Sequence, residues 1–381
     1  MTFNKKLLAG LVALSAASTA NAMVVGGQDG WEFSVGGEIN QFFVYTDDKN
    51  AADDRSEIRD GLLPSFLNFD VKAPTMNGLD IAAHISFSPG TNQSSYATFE
   101  QREVYFTVDG SFGQILAGKA LGLYGSHNIL TEQTLFGVGY GTGGNGGTTL
   151  GGIGLGYDYA AWRSQFKWTS VDMSGFKVAL AVADSSAPAF RLGANGGLPV
   201  SSLDTGGALV GVPPATAGDS EDLRYEGDLS YAGAFDGGSF TAWLSGVSEN
   251  RDNLGEDLQQ YTVGGTVVFG GFEAMAQYSD SEDGYLGSTT GSLEWDQYVV
   301  QAGYRFAGTT LVSANYSELE DKSSIADGRV AGADTSERIT FGVYHDVNAN
   351  LKLVAEYTSV ENDNKDMLDQ NIYSLGGFVF F

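Results

Sequence analysis

The only imidazoles in this 381-residue chain are His84, His127 and His345, so acid–base or metal chemistry would have to start there. A hydrolytic site needs a nucleophile, a base and an orienting group brought together. The chain offers His84 near Ser86 and Ser126 beside His127, spacings that chance supplies. Neighbours i and i+1 also face opposite sides of a strand. No G-x-S-x-G elbow and no H-E-x-x-H occurs, and with no Cys there is neither a thiol nor a sulfur ligand for zinc. The run GTGGNGG (141–147) lacks the Lys-Ser/Thr pair with which a phosphate loop grips its ligand. DDKNAADD (47–54) is rich in oxygen but lacks the spacing and glycine of a calcium loop. These residues point away from an enzyme, a cofactor and a metal centre.

The chemistry lies instead in charges set on an alternating scaffold. The formal charge is −27, and −29 once Lys5 and Lys6 are removed. That argues against nucleic acid as a partner, because phosphate binding needs a basic face. Lys5 and Lys6, the apolar LLAGLVALSAASTA and the site Ala20-Asn21-Ala22 have the order of a secretory signal peptide, so residues 1–22 are expected to be cleaved and 23–381 to form one domain. No later run approaches the ~20 apolar residues of a spanning helix. With 53 Gly, 23 Phe, 18 Tyr and only 7 Pro, the exported chain suits an outer-membrane β-protein; a secreted β-sandwich is the rival.

Period-two alternation predicts sixteen strands, near 31–45, 62–73, 79–88, 99–108, 113–119, 157–170, 175–184, 222–232, 239–249, 259–269, 271–281, 294–306, 308–318, 336–346, 350–361 and 370–381. Their connections alternate. The short ones, such as PTMNG (74–78), DGSFG (109–113), GG (270–271) and AG (307–308), carry the residues that tight hairpins need. The long ones include 46–61, 120–156 and 185–221. Sorting of this kind is expected of an all-β, closed, antiparallel transmembrane barrel, with short periplasmic turns and long external loops. Sixteen strands would enclose an aqueous channel.

Parity then assigns faces. Trp162, Phe166 and Trp168 share one side of their strand, opposite Arg163, Gln165, Lys167 and Thr169. Leu223, Tyr225, Leu229 and Tyr231 oppose Arg224, Glu226, Asp228 and Ser230. The same rule turns Lys177, Arg305 and Lys352 inward, with Asp70 and Glu356; Lys119 lies at a loop junction. In FEQREVYFTVDG either register leaves one charge on the outer face. The long loops are acidic, with Asp47, Asp48, Asp53, Asp54, Glu57 and Asp60 in the first and Glu361, Asp363, Asp366 and Asp369 in the last. An anionic vestibule would favour cations at low salt, with an effect that fades as salt rises. The C-terminus, DQNIYSLGGFVFF, places Tyr373, Leu375, Val379 and Phe381 on one apolar stripe, which as a free edge would recruit other chains.

The leader, the strand rhythm, this C-terminal stripe and REVYFTVDGSFGQILAGKALGLYG together resemble the trimeric general porins of Gram-negative bacteria. The resemblance implies a homotrimer in the outer membrane, in contact with lipid and lipopolysaccharide. It implies insertion by the barrel-assembly machinery, which reads Tyr373, Leu375, Val379 and Phe381. It also implies a third extracellular loop folded into the lumen, here 120–156, with Tyr124, His127, Glu132 and Tyr140 at the constriction. Arg163 and Arg102 resemble two rungs of the family's lumenal arginine ladder, whereas Phe66 stands where a basic rung is common. Glu132 is the loop's only acid, so the acidic side of the constriction is thin. The function implied is passive diffusion of small hydrophilic solutes. The alternative on the same fold is a channel specific for sugars or small organic acids, with Tyr124, Tyr140 and Tyr157 as a stacking track.

Overall fold

A computed structural model describes residues 23–49, 54–91, 99–141, 149–184, 223–250, 257–283, 293–322, 334–363 and 369–381. Residues 1–22, expected to be a signal peptide, the GTGGNGG run beyond Gly141, and Asp53 and Asp366 of the acidic loops lie outside them.

Sixteen strands form the wall. They are β1 (Glu32–Asp48), β2 (Phe66–Lys72), β3 (Asp80–Pro89), β4 (Phe99–Gly110), β5 (Gly113–Leu121), β6 (Trp162–Thr169), β7 (Phe176–Ala183) and β8 (Arg224–Phe235). The second half comprises β9 (Gly238–Glu249), β10 (Leu258–Phe269), β11 (Phe272–Asp283), β12 (Leu293–Phe306), β13 (Thr310–Asp321), β14 (Asp334–Asn348), β15 (Leu351–Asn362) and β16 (Gln370–Phe380). Each pairs antiparallel with the next, and β16 returns to β1 in the register Ile39↔Val379 and Phe43↔Leu375. The aggregation-prone stripe of β16 therefore has partners on both sides, and closure removes the edge. The last residue seals the seam, with Gly37 N–H donating to the Phe381 carbonyl (2.7 Å) and Phe381 N–H to that of Gly37 (3.0 Å).

The short turns follow their residues. Asn77-Gly78, Ser174-Gly175 and Ala307-Gly308 each place two successive residues at positive φ. That is the mirror-image turn whose twist matches a two-residue hairpin. Glycine takes the second place every time, where its lack of a Cβ removes the left-handed penalty.

The outer face is apolar. Leu180, Leu229, Leu244, Val263, Val300, Phe341 and Leu375 are all exposed along it. Aromatics gather at both ends. Near the short turns, Phe235 stacks with Phe269 (6.1 Å) and Phe272 with Tyr304 (4.8 Å). Near the long loops, Tyr298 meets Tyr316 (5.9 Å) and Tyr357 meets Tyr373 (5.1 Å). Rings with one apolar and one polar end settle at a membrane–water boundary. The eight residue steps from Phe306 to Tyr298, at ~3.3 Å each and a ~40° tilt, span roughly 20 Å, close to an apolar band of about 25 Å. No helix among the described residues is long and apolar enough to cross a membrane; the strands form the wall.

Several boundaries differ from the sequence expectation. Arg55–Arg59 forms a short strand on the upper part of β1, within the stretch expected to be loop. A second short strand, Met23–Gly26, pairs with the start of β1. The strand expected at 157–170 begins only at Trp162, after Ala161 at φ 57°, so the third long connection runs over 122–161.

Candidate functional site

The inner face carries the alternate residues, and much of it is polar: Gln260, Thr262, Gln277, Ser279, Gln297, Asn315, Ser317, Arg338, Thr340 and Glu356 are all buried. A polar wall is buried only if something lies against it, and that is the 122–161 segment. It contains a six-residue helix α1 (Ser126–Thr131), a 3-10 turn (Gln133–Phe136) and a small ladder between Tyr140–Gly141 and Thr149–Gly151.

Wall side chains hold the segment largely by its backbone. Glu226 on β8 accepts from Leu123 N–H (2.7 Å) and Tyr124 N–H (3.1 Å). Glu356 on β15 accepts from Val138 N–H (2.6 Å) and Gly139 N–H (3.0 Å). Gln301 accepts from Gln133 N–H (2.7 Å), and Asn128 donates to Thr262 (2.8 Å). The densest node is Asp158. Its two oxygens accept from Tyr124 Oη (2.9 Å), Ser281 Oγ (2.8 Å), Trp295 Nε1 (2.9 Å) and Gln297 Nε2 (2.8 Å). Burial pushes the Asp158 carboxyl above its ordinary range, and three of these donors act against that. Between the anchors the segment buries Leu135, Val138, Tyr140, Leu150, Ile153, Leu155 and Tyr157 against Phe42, Val299, Leu319, Val354, Val360 and Phe378. One side of the barrel is thus filled by a dry core.

The other side stays open. A cavity of about 320 Å³ runs along β2–β8, bounded by Leu123, Ser126, His127 and Leu130 of the segment. Its charged lining is Asp70, His84, Glu103, Lys167, Lys177, His127 and Asp228. His84 Nδ1 lies 2.7 Å from Asp70 Oδ1, its Nε2 3.4 Å from Glu103 Oε2, and its ring stacks on Tyr105 (5.0 Å). His127 Nε2 lies 3.1 Å from Asp228 Oδ2, and its ring is parallel to Trp243 at 5.1 Å.

The eight basic positions separate into four pairs. Lys167 and Lys177 face the cavity. Arg163 (3.9 Å) and Arg224 converge on Glu226, and Arg224 also reaches Glu249 (3.8 Å). Arg305 pairs with Glu273 (3.1 Å), and Lys352 pairs with Asp346 while lying 5.1 Å over the Phe136 ring; both are near the short turns. The last two positions leave the lumen. Lys119 is in register with Val104 and Ser164, on the face of the exposed Phe106 and Phe166. Arg102 stands where the β3–β4 register slips, and its guanidinium lies over the Trp162 ring (5.9 Å). Arg102 shares the parity of the exposed Phe106, so its inward placement came from the family resemblance and not from the alternation.

The loop residues also separate. His127 borders the cavity, but Glu132 is buried against Arg338 (3.5 Å), Thr134 and Asn315. Tyr124, Tyr140 and Tyr157 are each at most 1% exposed, inside the segment's packing, so they form no track along the open side. Phe66, the missing rung, packs inward in the same apolar core. Asp158 and Glu103 are candidate site residues that the sequence reading missed. Asp158 fell within an expected strand; for Glu103 the alternative parity of β4 was the available signal.

This geometry has known counterparts. The family model described as Gram-negative porin matches residues 8–365. The chain belongs to the Gram-negative porins. The anion-selective porin from Comamonas acidovorans superposes with a TM-score of 0.65 at 14% identity, covering 92% of this chain and 100% of that one. The Salmonella typhi OmpF complex with daunomycin gives 0.64 at 13% identity, covering 94% and 100%. OmpT of Vibrio cholerae, solved in a trimer form, gives 0.57 at 14%, covering 93% and 100%. Comparison with curated protein sequences finds no match. At such identities the likeness is one of fold. Family and barrel together place this porin in the bacterial outer membrane as a channel for passive diffusion.

Proposed function

We propose that this porin is a narrow diffusion channel for small hydrophilic solutes and ions, with the 122–161 segment as its constriction and no catalytic activity. The observation that carries this is the division of the lumen: a dry core along one wall and a polar cavity of about 320 Å³ along the other. Selectivity then comes from bore and lining charge. The family likeness supports a homotrimer, delivered after signal-peptide cleavage and inserted by the barrel-assembly machinery, with lipid and lipopolysaccharide against its apolar face. Planar-bilayer conductance of the purified protein tests the proposal. Stepwise insertions in groups of three support it, and a silent bilayer with folded protein overturns it.

A second reading is a channel specific for small organic acids. Lys167 and Lys177 favour it, since both face the cavity and neither makes a contact ion pair among the described residues. Saturable block of the current by a small dicarboxylate would distinguish it from general diffusion.

A further inference from the structure

We propose that His84 sets the charge balance of the permeation path, by holding Asp70 and Glu103 as a unit of one net negative charge. The inference deepens the channel reading and rests on it. A neutral imidazole has one N–H donor, and a carboxylate offers only acceptors. His84 has a carboxylate oxygen beside each ring nitrogen, at 2.7 Å and 3.4 Å. Only the imidazolium presents an N–H to both. The neutral ring would turn a lone pair toward one of the two anions. Its side chain is just 4% exposed, against 27% for Asp70 and 10% for Glu103, so the carboxylates face the water path and the histidine supports them from behind.

The other charged and titratable groups around the cavity make the proton consequential. Tyr105 covers the His84 ring; Lys167 and Lys177 come from β6 and β7; Asp228 from β8 is beside His127 of α1. The lumenal arginines are already neutralised by Glu226, Glu249, Glu132 and Glu273. With His84 protonated, the triad and Asp228 together match the two lysines. With His84 neutral or absent, the wall gains one net negative charge, and the path shifts toward cations. In a water-filled bore, one charge at ~8 Å acts in opposite senses on a cation and an anion and changes their permeability ratio about three- to sixfold.

The test is reversal potential across a KCl gradient in planar bilayers at low salt, about 0.01 M, where the Debye length of about 30 Å exceeds the ~8 Å separation; the acidic outer loops are common to every variant and cancel in the comparison. His84→Gln is expected to shift the cation-to-anion ratio several-fold toward cations. His84→Arg, which keeps the charge, is expected to restore the wild-type side, and Asp70→Asn to shift the ratio toward anions. In wild type, raising the pH should reproduce the His84→Gln shift, and that variant should lose this pH dependence. Lys167→Ala is the control that the assay senses this wall. If Lys167→Ala shifts selectivity and His84→Gln does not, the proposal is overturned. A wild-type protein that conducts no current overturns the channel reading instead.

Discussion

If Asp158 fastens the constriction, replacing it should open the pore without unmaking the barrel. The carboxylate is buried and takes four donors, two of them hydroxyls. The hydroxyls of Tyr124 and Ser281 can turn to accept, and Asn can still accept from Trp295 Nε1 and Gln297 Nε2. Asp158→Asn therefore retains four contacts and loses only the charge-assisted part, about 1 kcal/mol. Asp158→Ala retains none. It strands the indole N–H, which has no alternative role, and the Gln297 amide, at about 1–3 kcal/mol each. A loss of about 2–6 kcal/mol falls on the segment alone, because the strand ladders are untouched. Single-channel recording should show larger or noisier current for Asp158→Ala, near-wild-type current for Asp158→Asn, and the same heat-modifiable barrel for both. Equal, quiet conductance in all three would refute the view that this node positions the constriction.

Other outcomes follow from the same geometry. Arg338→Leu leaves the Glu132 carboxylate buried without its cation, a change that costs about 3–5 kcal/mol; adding Glu132→Gln should recover most of it in denaturant titrations of the refolded barrel. Leu229→Arg, on the lipid face, should cost about 2–4 kcal/mol in bilayer refolding, whereas Ser230→Arg, one residue on and facing the lumen, should cost far less and reduce conductance. Deleting Phe381 removes both hydrogen bonds to Gly37 at the seam, and the yield of folded barrel in the membrane fraction should fall.

The strands were most legible where each face meets one solvent. In β8, Tyr225 and Leu229 are exposed and Arg224, Glu226 and Asp228 buried, as parity required. The hairpins were legible from Asn77-Gly78 and its analogues, since few residues accept positive φ. Failures arose where a third environment intrudes. Phe378 and Phe380 interrupt the polar inner face because the loop core meets them. Tyr157 and Asp158 continue the alternation of β6, yet belong to the loop, and the break is marked only by the backbone of Ala161. Arg102 and Lys119 carry charge on the outer side of β4 and β5, where the fixed register decides orientation. The pairing of His84 with Asp70 and Glu103 needs three strands in register, which spacing along the chain does not encode.

The dry core behind the constriction also makes the cylinder mechanically unequal. From β12 to β15, inward Val299, Leu319, Val354 and Val360 are packed against protein while their neighbours face the membrane, so the backbone amides there see bulk water on neither side. The β2–β8 wall has water along its inner surface. Amide exchange should therefore be slowest in the first arc and fastest in the second, and a pulling force should open the barrel along its wetted staves.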